Sequence, residues 1–335
     1  IFGSDVALGN DHACAVTFGR EVRCWGSNTF GQLGNATLED STSPVAPIGM
    51  LAVESIASSD SHVCALQTDT TVNCWGDGAN GKLGNGALVG SSVPTPVLGL
   101  RSVKALALGQ NHSCALLANE TVSCWGDNSK GQLGLLASSQ SLVPVAVPAL
   151  FNISAITAGG EHTCALANDK TVWCWGSNQF GQLGVGGPAL VSAPVQVPGL
   201  RNVAKITAGM NHSCAVLEDQ RVVCWGDNSK GQVGVPAPAI VTSPTMVVDA
   251  TNALELMAGA YHSCAIIANG VQKCWGDNTL GQFFSIFLSI NGPVHTTTTN
   301  LYNITKGVAR GTSTCLIQIG KPVVCYGSPL VRIGF

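Results

Sequence analysis

Short apolar stretches alternate with glycine-rich polar turns along the whole chain, and the alternation repeats every 50 residues. The third copy, NHSCALLANETVSCWGDNSKGQLG, shows the unit. SCALL and TVSCW are short, apolar and alternating, which predicts two strands. Midway between them stands Gly19, Asp69, Asn119, Asp169, Asp219, Asn269 or Gly320 in the seven copies. Each of these residue types tolerates a left-handed backbone or bonds its own turn, so the two strands are read as an antiparallel hairpin. An apolar stretch such as VKALALG or VAKITAG precedes each hairpin, and a proline-bounded stretch such as APVQVPGL follows its glycine-rich turn. No long helical period occurs. Four short strands per repeat, seven times over, predict an all-β fold: a seven-bladed β-propeller with four antiparallel strands per blade.

Residues 1–335 read as a single propeller domain with repeats of about 50 residues, the last truncated after Cys325. The final residues, SPLVRIGF, align with APVQVPGL of the fourth repeat. On that phasing Phe335 stops where Ile1 begins, and one whole ring is expected. The chain starts without methionine, which is read as a leader removed or lying outside this fragment.

The cysteines lie on the same ruler. Cys14, Cys64, Cys114, Cys164, Cys214 and Cys264 are spaced by 50 residues, and Cys315 follows after 51. Ten residues after each comes a second cysteine: Cys24, Cys74, Cys124, Cys174, Cys224, Cys274 and Cys325. Folding each hairpin about its midpoint sets the two directly opposite, with Cβ atoms roughly 4.5–5.5 Å apart. That is within reach of a disulfide after a small adjustment. Zinc takes clustered ligands, typically C-x-x-C pairs, and no such pair occurs. One disulfide per blade is therefore expected, each contributing about 3 kcal/mol in the chain-entropy model. Seven disulfides need an oxidising compartment, so the protein is expected to be secreted, extracellular or at the cell surface.

The string C-W-G-[SD]-N-x-x-G-Q-L-G, preceded by G-x-x-H-[ST]-C-A, resembles the repeat of the regulator of chromosome condensation family. Trp25, Trp75, Trp125, Trp175, Trp225 and Trp275 carry the match, with Tyr326 in the last copy. The G-Q-L-G turn is altered to GKLG at Gly81 and GQVG at Gly231, broken to GQFF at Gly281, and absent from the seventh copy. The resemblance spans the chain and implies a seven-bladed propeller. Its cysteine-bearing form is similar to the extracellular repeats of Crinkly-type receptor kinases. The family includes a nuclear exchange factor, ubiquitin-ligase modules, β-lactamase inhibitors and receptor ectodomains, so fold does not carry function across it.

Six N-x-S/T sequons agree with a secretory route: Asn35, Asn111, Asn119, Asn152, Asn211 and Asn303. Asn119 at a hairpin tip, Asn35 in a loop, and Asn152 and Asn303 between blades are read as glycosylated. Asn111 and Asn211 stand three residues before a cysteine and are read as packed or modified with equal weight. Charged residues make up 10% of the chain, against about 25% in ordinary soluble domains. The net charge is −3 and no basic stripe is present, which argues against nucleic acid. No apolar run is long enough to span a bilayer, so no membrane insertion of this chain is expected.

Several loops are apolar where solvated loops are polar, around Leu135, Val235 and Phe283. Such stretches mark interaction sites. The broken sixth repeat is the strongest case. It sets Phe283, Phe284, Ile286, Phe287, Leu288 and Ile290 where other copies have LG and a polar loop. Burying each is worth roughly 1.5–3 kcal/mol, so they are read as an interface with protein partners, including copies of the chain itself. The competing reading folds them inward.

Histidines recur two residues before the first cysteine, at His12, His62, His112, His162, His212 and His262. A ring of them is able to bind metal or sense pH. The plainer reading, structural histidines that bond backbone, is the one the resemblance implies. Asp77, Asp127, Asp227 and Asp277 follow C-W-G at turns, where aspartate bonds the backbone. No nucleophile elbow, phosphate loop or H-E-x-x-H motif is present. The sequence thus points to a non-catalytic secreted glycoprotein without cofactor or metal, acting as a structural, self-assembling subunit of a cell-surface or extracellular structure. The alternative is the ligand-binding ectodomain of a Crinkly-like receptor kinase.

Overall fold

The computed structural model describes residues 2–50, 52–136, 138–236, 238–268, 270–283, 292–297, 304–329 and 331, with 292–297 as backbone only. They form an all-β seven-bladed propeller. Six sheets have four strands in simple up-and-down order, and the seventh has three among the described residues. Blade 1 comprises Gly3–Leu8, His12–Thr17, Val22–Gly26 and Ser41–Val45. The first strand of every blade lines a central channel, and the fourth lies at the rim.

Antiparallel register sets Cys14 opposite Cys24, and the same pairing recurs in each sheet through Cys315 and Cys325. All seven pairs are disulfides with Cα atoms 4.0–4.1 Å apart. The left-handed residue of the hairpin tip stands one place after the midpoint, at Arg20, Thr70, Glu120, Lys170 and Gln220. The midpoint Asp or Asn plays the other expected part. Asn119 Oδ1, for example, accepts from the Thr121 amide at 3.3 Å and the Thr121 hydroxyl at 2.7 Å.

Neighbouring blades share one repeated contact set. Each C-W-G tryptophan is buried against the preceding blade and donates Nε1 to its G-Q-L-G segment. Trp75 reaches the Gln32 carbonyl at 2.9 Å, and Trp125, Trp175, Trp225 and Trp275 repeat the bond. The last glycine of the turn makes room: at Gly34 a Cβ would stand 2.9 Å from Trp75 Nε1. The same carbonyls accept the hydroxyls of Ser113, Thr163, Ser213 and Ser263. Each hydroxyl in turn meets the histidine of the preceding blade, as His112 Nε2 meets Thr163 Oγ1 at 2.9 Å. The cores lie between blades, with tryptophan, disulfide and aliphatic side chains packed together.

Blade 7 meets blade 1 at Val331. The Val331 carbonyl accepts Trp25 Nε1 at 3.0 Å, the part that Gln32 plays for Trp75. That bond closes blade 7 on blade 1 as the tryptophan bond does between the other blades. Phe283 is core, not interface. It is 2% exposed among Met257, Cys264, Ile266, Cys274 and Leu316. Its amide donates to Asn278 Oδ1 at 2.8 Å as Leu33 does to Asn28. A larger apolar side chain thus fills the leucine pocket. Phe284, Ile286, Phe287, Leu288 and Ile290 lie outside the described residues, as does Asn303. The other apolar loops are split: Val235 is buried and Leu135 packs against the core, while Leu136 is 85% exposed.

Candidate functional site at the channel mouth

The up-and-down topology gives the ring two faces. The upper face carries the turns from first to second strand and from third to fourth. The lower face carries the hairpin tips and the connections between blades. Charge divides unequally between them. Asp11, Glu39, Asp40, Asp60 and Asp77 lie on the upper face of blades 1 and 2, and Asp127, Glu161, Asp227 and Asp277 on blades 3 to 6. Against these nine carboxylates stand Lys82, Lys130, Lys230 and Arg310, a net of −5. The lower face and the strand ends that open on it carry ten carboxylates and eleven described cations. A chain of net charge −3 is therefore an acidic disc on one side only.

The histidines hold the mouth of the channel on the upper face. The hydroxyls of Ser113, Thr163, Ser213 and Ser263 spend their protons on carbonyls, so they accept at His62, His112, His162 and His212. The network therefore assigns the proton to Nε2 and a neutral ring. Burial pushes the pKa of these rings down, to about 4 at His12 and His262 and about 3 at His112, His162 and His212. At His62 burial is again the largest cause, and Lys82 adds to it. In most blades the glycine three residues before the histidine leaves room for the ring: at Gly9, Gly109 and Gly159 a Cβ would stand 2.0–2.1 Å from the imidazole. Blade 2 has Ser59 there, and its hydroxyl meets His62 Nδ1 at 2.8 Å.

Blade 7 breaks the pattern twice. Ser313 replaces the histidine, and Arg310 replaces the glycine that the histidine would need. The arginine turns across the mouth. Its Nε donates to Asp60 Oδ1 of blade 2 at 3.2 Å, and Nη1 to the Leu108 carbonyl of blade 3 at 3.2 Å. It borders a channel cavity of about 230 Å³ walled by the first strands, including Ile56, Leu106, Ile156 and Leu256. Towards the lower face Lys306 pairs with Asp5, and Lys205 with Glu255. The channel thus has ion pairs towards both ends.

A second cavity of about 320 Å³ opens beside Arg310, over blades 1 to 3. Asn10, Asp11, Asp60, Asp77, Gln110 and Asn111 line it, with Phe30 at the rim and Lys82 at the base. Lys82 stands where other blades have glutamine. Its Nζ meets Asp77 Oδ2 at 2.6 Å, Asn111 Oδ1 at 3.0 Å and Ser61 Oγ at 3.3 Å. For Asp77, burial pushes the pKa up, but the bonds from Lys82 and the Ala79 amide outweigh it and hold the carboxyl below its ordinary value. Sequence reading missed Lys82 and Arg310. The signal was present, because each breaks a repeat position that is otherwise glutamine or glycine in most copies. Among the described residues, no group of three His, Cys, Asp or Glu side chains is placed to hold a metal ion.

The repeated tryptophan–carbonyl bond is written in the string that family comparison reads. The model of the RCC1-like domain matches residues 2–313. The chain belongs to the RCC1-like domain family. Yeast RCC1 (Prp20) from Saccharomyces cerevisiae superposes with a TM-score of 0.80 at 25% identity, over 98% of this chain and 82% of that one. The ectodomain of the receptor kinase CR4 from Physcomitrella patens gives 0.61 at 25%, over 97% of this chain and 73% of that one. The CRINKLY WD40 ectodomain of ACR4 from Arabidopsis thaliana gives 0.62 at 22%, over 97% of each chain, a likeness of fold alone. Among curated proteins none matches the sequence.

Among the described residues of this RCC1-like domain, the two fully exposed sequon asparagines lie on the lower face. Asn119 is exposed at a lower hairpin tip. Asn152 is exposed in the lower connection between blades 3 and 4, in a left-handed conformation (φ 57°) that asparagine tolerates. Asn35 is half-buried at the rim, beside the fourth strand of blade 2. Asn111 and Asn211 sit on the upper face, but the sequon serines Ser113 and Ser213 are buried in strands with their hydroxyls on carbonyls of the preceding blade.

Proposed function

We propose that this propeller is an extracellular, non-catalytic recognition module, exposed at the cell surface or secreted, that binds its partner through the upper face. The observation that carries this reading is the set of seven disulfides, each buried inside its own blade. Such bonds form and persist in oxidising compartments. The plant receptor ectodomains supply the extracellular analogy, and yeast RCC1 the intracellular one. The disulfides favour the first. An open, polar, asymmetric mouth suits recognition better than passive scaffolding. N-glycans at Asn35, Asn119, Asn152 and Asn303 fit the same compartment, and Asn119 and Asn152 lie on the face away from that mouth.

A structural, self-associating subunit is the second reading. Its support has moved from Phe283, which is buried, to the lower face, where Phe2, Phe18, Phe151 and Ile319 are exposed. Labelling of intact source cells with a membrane-impermeant amine reagent tests the proposal. Peptides of this chain should be labelled, and non-reducing peptide mapping should find Cys114 joined to Cys124. Recovery of the chain only from inside the cell with free thiols overturns it.

A further inference from the structure

We infer that the upper cavity over blades 1 to 3 is a saccharide-binding site for a neutral or amino sugar, with Phe30 as stacking platform and Asn10, Asp11, Gln110 and Asn111 as hydrogen-bonding groups. The inference deepens the recognition reading above and rests on it for its physiological meaning.

The repeat provides an internal control. The residue after the mouth glycine is Asn10, Asp60 and Gln110 in blades 1 to 3, but Gly160, Met210, Ala260 and Gly311 at the equivalent place in blades 4 to 7. Folding does not demand polar side chains there, since four blades form without them. Where they occur, they surround a cavity of about 320 Å³, at the lower end of the roughly 300–1,000 Å³ of small-ligand sites.

The groups in the cavity fall into two kinds. Asp60 and Asp77 are held by Arg310 and Lys82, whose side chains are only 13% and 2% exposed. Their charges are compensated and their positions set. Asn10 and Gln110 have no side-chain hydrogen bond among the described residues. Asp11 takes only the Ser328 hydroxyl, at 2.8 Å on Oδ1. Asn111 uses its carbonyl oxygen on Lys82 and keeps its NH₂. The cavity therefore offers amide donors, amide acceptors and one free carboxylate oxygen around a fixed floor of two ion pairs. Vicinal hydroxyls, each both donor and acceptor, satisfy such a set. The Phe30 ring, 52% exposed at the rim, offers an apolar face to the C–H side of a pyranose. A basic peptide fits less well, because two of the three local carboxylates are already neutralised. Uronic, sialylated and sulfated sugars are disfavoured by the net −5 of the surrounding face.

The test is a glycan array of neutral, amino and acidic oligosaccharides probed with the disulfide-bonded, enzymatically deglycosylated protein, followed by calorimetric titration of the best binder. Neutral or amino sugars should be retained and acidic ones not. Phe30→Ala and Gln110→Ala should each weaken binding about tenfold, equivalent to about 1.4 kcal/mol. Phe180→Ala changes the same turn position in blade 4, beside Gly160, and should have no effect. No binding of any sugar overturns the assignment, as does binding insensitive to both cavity variants. So does capture of an oligolysine peptide through Asp11 in place of a sugar. Failure here leaves the extracellular reading standing, because that reading is tested by cell labelling and disulfide mapping.

Discussion

Single residues set the limits of this protein at low pH. Six neutral, buried histidines each bridge to the next blade. Their pKa values are depressed in the fold, so the unfolded chain binds more protons below about pH 6.5. Their contribution is whole above that pH and is lost as pH falls towards 3–4, where most of the folded rings titrate. Each can cost up to about 1.4 kcal/mol per pH unit. Urea unfolding at pH 7.5, 6, 5 and 4.5 should show stability falling ever more steeply with acid. His162→Gln should lower stability at neutral pH and blunt the acid slope by about one proton. An acid slope unchanged in that variant would show that other groups carry the effect. Phe283 is a second residue-scale case. Phe283→Leu restores the usual turn residue and should cost less than about 1.5 kcal/mol. Phe283→Ala should cost about 3–5 kcal/mol. A negligible cost for the alanine variant would return Phe283 to the surface.

At the scale of the strand pair, the disulfide is both staple and core. Every cysteine is at most 4% exposed, so a reductant must wait for the blade to open. Dithiothreitol without denaturant should leave the seven bonds intact in alkylation mass spectrometry, and reduction should follow addition of urea. Loss of bonds in the native protein would mean that single blades open freely. The double variant Cys214→Ala, Cys224→Ala should lose about 3 kcal/mol and keep the ring. Glycan attachment belongs to this scale too, because turn geometry decides which asparagines protrude. Asn119 and Asn152 should appear as aspartate after enzymatic deglycosylation. Asn111 should stay bare, since its side chain holds Lys82 and its sequon serine is mid-strand. Occupancy at Asn111 would show that this part of the mouth rearranges.

At the scale of the molecule, closure concentrates in a few contacts. The seam between blades 7 and 1 lacks the histidine–hydroxyl link, because Ser313 and Ala13 replace both partners. It keeps the Trp25–Val331 bond and adds the Lys306–Asp5 pair and the bond from Ser328 to Asp11. Asp5 also accepts the amides of Val6 and Ile56, at 2.8 and 2.9 Å, which ties blade 1 to blade 2. Asp5→Ala should therefore cost more than Glu54→Ala, which breaks an exposed pair with Arg20 worth about 0–1 kcal/mol. Thermal unfolding of the two variants decides this, and equal costs would show that the seam is held elsewhere.

Periodicity alone determined the blade. A period-2 strand pattern, a turn former at each midpoint and cysteines ten apart leave one hairpin and one disulfide, because these are short-range matters of register. It also placed the tryptophans and glycines, whose recurrence every 50 residues needs no partner to be seen. Tertiary structure decided whatever depends on the neighbouring blade. The closing role of Val331 follows from the indole of Trp25 across the seam. Phe283 looks like a surface residue until the leucine pocket of the sixth blade is seen to hold it. The mouth itself is legible only in the ring. Asp60, Leu108 and Arg310 are up to 250 residues apart, and closing the circle is what brings them into one hydrogen-bonded group.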